Sequence, residues 1–181
     1  QAISEFERKG GKFPGGDERT ARYWYALSKF YNAEDDYEQF LSIKFPEKLN
    51  FDPAKKAEAE KSLKRFDAWF KEKEKLGGAA AGQYSKLIFD IKEPQNAIAG
   101  AARIGQVSQN FSDALYTAEI PENIRKYEEA VDIYCETLEA KAEPLENTSL
   151  DAFSACLKTS TDFGWFSSWS KLCERELGQI K

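Results

Sequence analysis

The chain has 181 residues, a net charge of −5 and no histidine, and 31% of its residues are charged. Its length suffices for one sizeable hydrophobic core or for several stacked helical repeats. The absence of histidine excludes Ser-His and Cys-His nucleophiles and every His-containing metal site. Because the net charge is negative and no long Lys/Arg block is present, nucleic acid is not expected as a partner.

Glycine and proline mark the beginning of the chain. Residues 1–16 contain two Gly-Gly pairs around Phe13-Pro14 and are predicted to be a flexible lead-in or linker. A single α-helical domain is expected over residues 17–181. The chain starts at Gln1, which is interpreted as the end of a processed chain or of an excised fragment. No apolar run approaches the roughly 20 residues that span a bilayer, so no membrane span is expected.

Helical spacing of apolar residues, with capping signals and prolines between the periodic stretches, predicts an all-α chain of about eight helices in antiparallel succession. Alternation with a period of two never persists. Breaks are expected at Ala33-Glu34 and at Gly77-Gly78, and Pro144 is expected to kink or close its helix. The predicted helices cover residues 17–32, 35–44, 53–76, 79–91, 94–115, 122–143, 149–161 and 165–180.

The stretch Pro94–Leu115 is predicted to be the central helix. Between Pro94 and Ser112 its only charged residue is Arg103, and its remaining positions are largely small or apolar on both flanks. A helix of this kind is normally packed between neighbours. We therefore expect it to be the most buried helix, with Gly105 at a point where two helices approach closely.

One window of the chain resembles the tetratricopeptide-repeat pattern, with Ser where the pattern usually has Gly. It comprises Trp24, Leu27, Ser28, Tyr31, Tyr37 and Pro53. Partial matches follow at Ile104-Gly105 with Ser108, and at Ser149, Phe153, Cys156 and Leu157. The pattern implies antiparallel helix pairs stacked as a tetratricopeptide-like solenoid.

Over residues 20–181 the chain also resembles the C-terminal region of tetratricopeptide-type envelope proteins of myxobacteria, some of which are assigned to adventurous gliding motility. The stretches that carry this resemblance are ARYWYALSKFY, FLSIKFPEKLNFDP, AARIGQVSQNF and GWFSSWSKLCERELGQIK. The resemblance implies a scaffold protein of the periplasm or cell envelope. The cytoplasm is the alternative location.

An aromatic cluster in the first long predicted helix is one candidate binding surface. It contains Tyr23, Trp24, Tyr25, Phe30 and Tyr31. These side chains cannot all face one stripe, so Tyr25 is expected to face away from the main core, and Tyr23 and Tyr25 are candidate partner-binding residues. The preferred alternative is that the cluster packs against a neighbouring repeat.

A row of carboxylates is the second candidate. Glu129, Asp132, Glu136, Glu139 and Glu143 recur at spacings of three and four. Such a row can attract a basic protein surface or a divalent cation, and Asp132, Glu136 and Glu139 are the candidates for steering a partner. The preferred alternative is a solvated face without a function. Paired carboxylates also serve glycosidases as acid and base.

The three cysteines, Cys135, Cys156 and Cys173, form no C-x-x-C pair. If the last two predicted helices form a hairpin around Asp162–Gly164, Cys156 lies opposite Cys173 and a disulfide between them is feasible. Three unpaired thiols are the preferred alternative.

Together these features predict a non-catalytic protein-interaction or scaffold module of a bacterial envelope complex, without a cofactor or a metal. The second hypothesis is an α-helical envelope enzyme that cleaves glycans through paired carboxylates. A buried Glu with a raised pKa inside a cleft would favour the enzyme, and a broad open groove would favour the scaffold.

Overall fold

The computed structural model describes residues 2–8 and 17–179. Within these residues the chain forms six α-helices and no strand, so the predicted all-α class is confirmed. The helices are α1 (Ala2–Arg8), α2 (Glu18–Ser42), α3 (Lys56–Lys86), α4 (Pro94–Tyr116), α5 (Glu128–Phe163) and α6 (Ser168–Gln179). One π-helical turn, Leu87–Ile91, follows α3 directly.

The prediction of about eight helices is wrong because three expected breaks lie inside continuous helices. Ala33 is buried in the core within α2. Gly77 lies within α3, where a Cβ atom would approach the Phe40 ring to 3.1 Å, so its lack of a side chain serves packing between helices. Pro144 lies within α5, and its carbonyl accepts a hydrogen bond from the Thr148 hydroxyl at 2.8 Å.

The helix lengths also differ from those of a tetratricopeptide repeat, which places two helices within 34 residues. Helices α2 to α5 contain 25, 31, 23 and 36 residues. Two aromatic residues of the matching window, Trp24 and Tyr31, are 57% and 64% exposed and do not fill a gap between helices. The all-α class therefore holds, whereas the chain is built from longer helices than the repeat pattern implies.

The prediction of a central helix is confirmed by α4. It begins at Pro94, with the Glu93 carboxylate accepting a hydrogen bond from the Asn96 backbone N–H at 2.9 Å. It contacts α2, α3, α5 and α6. More than half of its residues are buried: Asn96, Ala97, Ile98, Ala99, Gly100, Ala101, Ala102, Gly105, Val107, Ser108, Phe111, Ser112 and Leu115.

Two hydrophobic cores share α4. The larger core joins α2, α3 and α4 through Phe40, Trp69, Tyr84 and Phe111, and α5 adds Leu138 to it. The smaller core joins α4 to α5 and α6, with a buried set made of Ile98, Ala101, Ala102, Phe153, Cys156 and Cys173. The order of contacts shows that α2 runs parallel to α4 and that α3 and α5 run antiparallel to it.

The only charged residue in the first two-thirds of α4, Arg103, is bound by its neighbours. Its Nε and Nη2 atoms donate to the two carboxylate oxygens of Glu34 at 2.9 and 2.5 Å. Its guanidinium carbon lies 4.7 Å from the ring centroid of Tyr37 and 5.0 Å from that of Trp169. The Tyr84 hydroxyl also donates to Glu34. This network ties α2, α3, α4 and α6 together with its charges paired.

A second interior cation, Lys73, caps the C-terminal end of α2. Lys73 is only 2% exposed, and its ammonium donates to the carbonyl oxygens of Phe40 and Ile43 at 3.3 and 3.2 Å. A cation at the C-terminal end of a helix interacts favourably with the helix dipole. Burial nevertheless lowers the pKa of Lys73 to about 8, and the nearby charge of Lys44 lowers it further in the same direction.

The position of Gly105 gives the first prediction. A Cβ atom there would lie 2.5 Å from a ring carbon of Phe153, a contact that requires the ring or the backbone to move. Gly105→Leu should therefore lower the free energy of unfolding by about 1–3 kcal/mol or more in urea titration followed by circular dichroism. Gly82→Leu is the control, because no atom of the described residues would lie within 4 Å of a Cβ atom at Gly82. Equal stability of the two variants would contradict this packing.

The second prediction concerns pH. Between pH 8 and 10 the unfolded chain still holds the Lys73 proton while the folded chain loses it, so the folded state gains stability as the pH rises through that window. Relative to Lys73→Met, the wild-type free energy of unfolding should increase by about 2 kcal/mol from pH 8 to pH 10. The comparison with the variant removes contributions from the tyrosines. A difference that stays constant across this range would show that Lys73 titrates normally.

Candidate functional site

The five carboxylates of the predicted row all lie on α5 and all are exposed. We call Glu129, Asp132, Glu136, Glu139 and Glu143 the acidic face. The helix is held in place from its other side, where Leu138 and Ala142 are buried in the larger core. The core contacts of α5 therefore turn the acidic face towards solvent.

None of these five carboxylates forms an ion pair with any residue that the structure describes, whereas Asp162 at the other end of α5 pairs with Lys158 at 2.6 Å. Their negative potential reaches a neighbouring tyrosine. Burial raises the pKa of Tyr116 to about 12, together with the hydrogen bond that its hydroxyl donates to Glu146 and the charges of Glu139 and Glu143. The acidic face is therefore a concentration of uncompensated charge.

An apolar groove of about 280 Å³ runs between α3 and α5, and we call it the α3–α5 groove. Leu63 on α3 and Ile133 on α5 line it and are 51% and 58% exposed. Such exposure is unusual for large aliphatic side chains that share one cavity. The other lining residues are Phe51, Phe66, Asp67, Ala130, Tyr134, Thr137, Leu138 and Lys141.

A larger cavity of about 750 Å³ lies between the loop that follows α2 and the loop that follows α4. Asn123 joins the two loops, because its Oδ1 atom accepts from the Phe51 backbone N–H at 2.8 Å and its Nδ2 atom donates to the Leu49 carbonyl at 3.0 Å. The sequence does not predict this role of Asn123, because a single asparagine in a loop can form hydrogen bonds with many different groups. The cavity is lined mainly by these two loops, so its shape depends on the hydrogen bonds of Asn123.

The structure separates the aromatic cluster from the acidic face. The aromatic cluster precedes Glu34 on α2. Because Glu34 contacts Arg103 and α2 runs parallel to α4, the cluster lies towards the start of α4. The acidic face lies near the end of α4, where Tyr116 meets Glu146. The two predicted surfaces therefore cannot act as one site.

Tyr25 contacts the part of the chain that was predicted to be a lead-in. Residues 2–8 form α1, in which the Phe6 ring stacks on Tyr25 with centroids 4.3 Å apart. The Tyr25 hydroxyl donates to Glu7 at 3.0 Å, and Lys29 pairs with the same carboxylate at 2.9 Å. Tyr25 thus faces away from the main core, as expected, but α1 covers it. Tyr23 lies beside Trp24, and residues 9–16 lie outside the described residues.

Cys156 and Cys173 are joined by a disulfide bond, and Cys135 is free and exposed. The preferred expectation of three unpaired thiols is therefore corrected. Helices α5 and α6 contact each other and form the predicted hairpin. Gly164 caps the end of α5, and its positive φ of 61° suits glycine. Both bonded cysteines are fully buried beside α4, so the bond fixes α6 against the smaller core.

Carboxylates with altered pKa values lie outside both cavities. Partial burial raises the pKa of Asp113, and the charges of Glu176 and Glu146 raise it further, but the residue remains exposed on α4. Burial opposes ionisation of Glu176, yet the hydrogen bond from Gln109 at 2.9 Å and the pairing with Arg175 outweigh it and lower the pKa. Neither residue lines either cavity.

Comparison with protein-family models, curated proteins and solved structures found no match. Within the described ranges, no group of three or more Asp, Glu or Cys side chains is arranged to hold a metal ion. Across the same residues, no helix has both the length and the apolar character that crossing a membrane requires. The candidate site therefore consists of the acidic face and the α3–α5 groove.

Thiol counting tests the disulfide. The denatured, unreduced protein should give one free thiol, that of Cys135, and three after reduction. Cys135→Ser should give none before reduction and two after it. Because the two cysteines are 17 residues apart, reduction should also lower the free energy of unfolding by about 3 kcal/mol. Three thiols in the unreduced wild-type chain would contradict the bond.

Proposed function

We propose that this chain is a non-catalytic protein-interaction module of a bacterial envelope complex, and that its acidic face recruits a partner with a basic surface. The observation that carries the proposal is the acidic face itself. Five exposed carboxylates follow one side of α5, and none of them pairs with a cation in the described part of the chain.

Repulsion along such a row costs a few tenths of a kcal/mol for each pair. A face of one sign of charge can offset that cost by accelerating the capture of an oppositely charged partner. Asp132, Glu136 and Glu139 occupy the middle of the row and are assigned the steering role. They act mainly on the rate of association, since exposed charges contribute little to the strength of a complex.

The disulfide supports the envelope location. Disulfides form and persist in oxidising compartments such as the bacterial periplasm, and they are rare in the cytosol. The Cys156–Cys173 bond closes a hairpin against the smaller core. This observation agrees with the resemblance of the sequence to envelope proteins and favours the periplasm over the cytoplasm.

The alternative of a glycan-cleaving enzyme required a buried Glu with a raised pKa inside a cleft. The described carboxylate with a raised pKa is Asp113, which is exposed. Glu176 is buried, but its pKa is lowered, and it lines neither cavity. These positions favour an interaction module over the enzyme.

Charge reversal tests the proposal. The triple variant Asp132→Lys, Glu136→Lys and Glu139→Lys should capture fewer basic proteins from an envelope extract of the source bacterium. It should also associate with a purified captured partner about tenfold or more slowly at low salt, with a weaker salt dependence. Its melting temperature should stay near that of the wild type, because the three side chains are exposed.

The matched control reverses three exposed carboxylates elsewhere, Glu18, Glu38 and Glu174, and so makes the same change in net charge. It should retain most of the association rate of the wild type. If both variants slow association equally, net charge and not the acidic face governs capture. If neither variant alters the rate or its salt dependence, the acidic face is only a solvated surface.

A further inference from the structure

The α3–α5 groove is open because its two walls pack on the same interior while their backbones stay apart. No Cα atom of α3 comes within 8 Å of one in α5. Side chains fill the floor between them, where the rings of Phe51 and Tyr134 lie 5.8 Å apart. Phe66 and Leu138 complete the floor and are buried in the larger core. The groove is therefore a continuation of that core to the surface.

The edges of the groove are apolar at their centre. Leu63 projects from α3 and Ile133 from α5, and more than half of each side chain is exposed to water. Covering these two residues would remove apolar surface from water, which favours binding. Their exposure in a shared concave surface is typical of an interaction site.

Acidic side chains stand beside the apolar residues on both edges, although on α3 lysines alternate with them. On α3, Glu60 and Asp67 stand three positions before and four positions after Leu63, which places them beside it on the helix surface. On α5, Glu129 and Glu136 stand four positions before and three positions after Ile133, which places them beside it in the same way. All four are exposed, and none forms an ion pair within residues 2–8 and 17–179.

We propose that the α3–α5 groove binds a basic amphipathic helix of a partner protein, an inference that rests on the proposed function and locates its anchoring site. An apolar groove between two helices accepts the apolar stripe of a third helix, with anchors spaced by three and four residues. Lys or Arg on both flanks of that helix would lie opposite Glu60 and Asp67 on one edge and Glu129 and Glu136 on the other.

The groove also selects against other occupants. The acidic face that borders the α5 edge repels an anionic lipid surface, so a membrane is disfavoured. Among the residues that the structure describes, Lys141 is the one cation that lines the groove. Its ammonium lies 4.4 Å from the Phe70 ring centroid, over an aromatic face. The acidic face supplies long-range attraction, and the groove supplies the apolar contact that holds the helix.

The test uses two synthetic peptides of identical Leu and Lys composition. In one peptide the leucines form a single helical stripe, and in the other their order is scrambled so that no stripe exists. Fluorescence anisotropy of the labelled peptides against the full chain should give at least tenfold tighter binding for the striped peptide. The double variant Leu63→Ser and Ile133→Ser should lose that preference.

Phe89→Ser is the control, because Phe89 is 68% exposed and lies in the turn before α4, away from the groove. It should bind the striped peptide as the wild type does. Equal binding of the two peptides, or an unchanged preference in the double variant, overturns the groove proposal. A wild-type dimer that the double variant converts to a monomer in sedimentation also overturns it, by assigning the groove to a second copy.

The two proposals fail in different ways. If both peptides bind equally and the triple reversal of Asp132, Glu136 and Glu139 weakens both, the acidic face is active and only the groove assignment is wrong. If the striped peptide binds through Leu63 and Ile133 but the triple reversal and salt have no effect, the groove still anchors the helix. The charge contact of Glu136 and the steering role of the acidic face are then wrong.

Discussion

The fold depends on the close approach of neighbouring helices to α4, which its small residues permit. At Gly105 the ring of Phe153 occupies the space that a Cβ atom would need, and at Gly100 a Cβ atom would lie 3.1 Å from the Tyr84 carbonyl oxygen. Protein interiors are close-packed, so neither position tolerates a larger side chain without movement. Because α4 contacts four other helices, a larger side chain at either glycine would disturb the packing of both cores.

The polar interior groups strengthen the same arrangement. Arg103 is paired with Glu34 and lies over two aromatic rings, and Lys73 closes the end of α2. Buried charges are tolerated where hydrogen bonds and opposite charges satisfy them. The disulfide adds a covalent constraint on α6. These features leave α5 supported on its inner side alone, with its acidic face and one wall of the α3–α5 groove free for contact with another molecule.

Several properties followed from the sequence because they are local. The helical class follows from the spacing of apolar residues, and the position of α4 follows from its lack of charge around Arg103. The exposure of the acidic face follows from the apolar residues on the opposite side of the same helix. The start of α4 at Pro94 follows from capping chemistry, in which Glu93 and Pro94 suit the first helical turn.

Tertiary contacts decided the rest. Gly77 and Pro144 carry local signals for a break, and a break is also predicted at Ala33, yet each lies inside a continuous helix. Packing against neighbours outweighs a local cost of about 1 kcal/mol for Gly and about 3 kcal/mol for Pro. The pairing of Cys156 with Cys173 required the hairpin that brings them together. The α3–α5 groove required two helices that are distant in sequence, and no local pattern encodes their separation. The sequence by itself therefore determined the helices and their faces, and the tertiary structure decided which faces meet and which remain open.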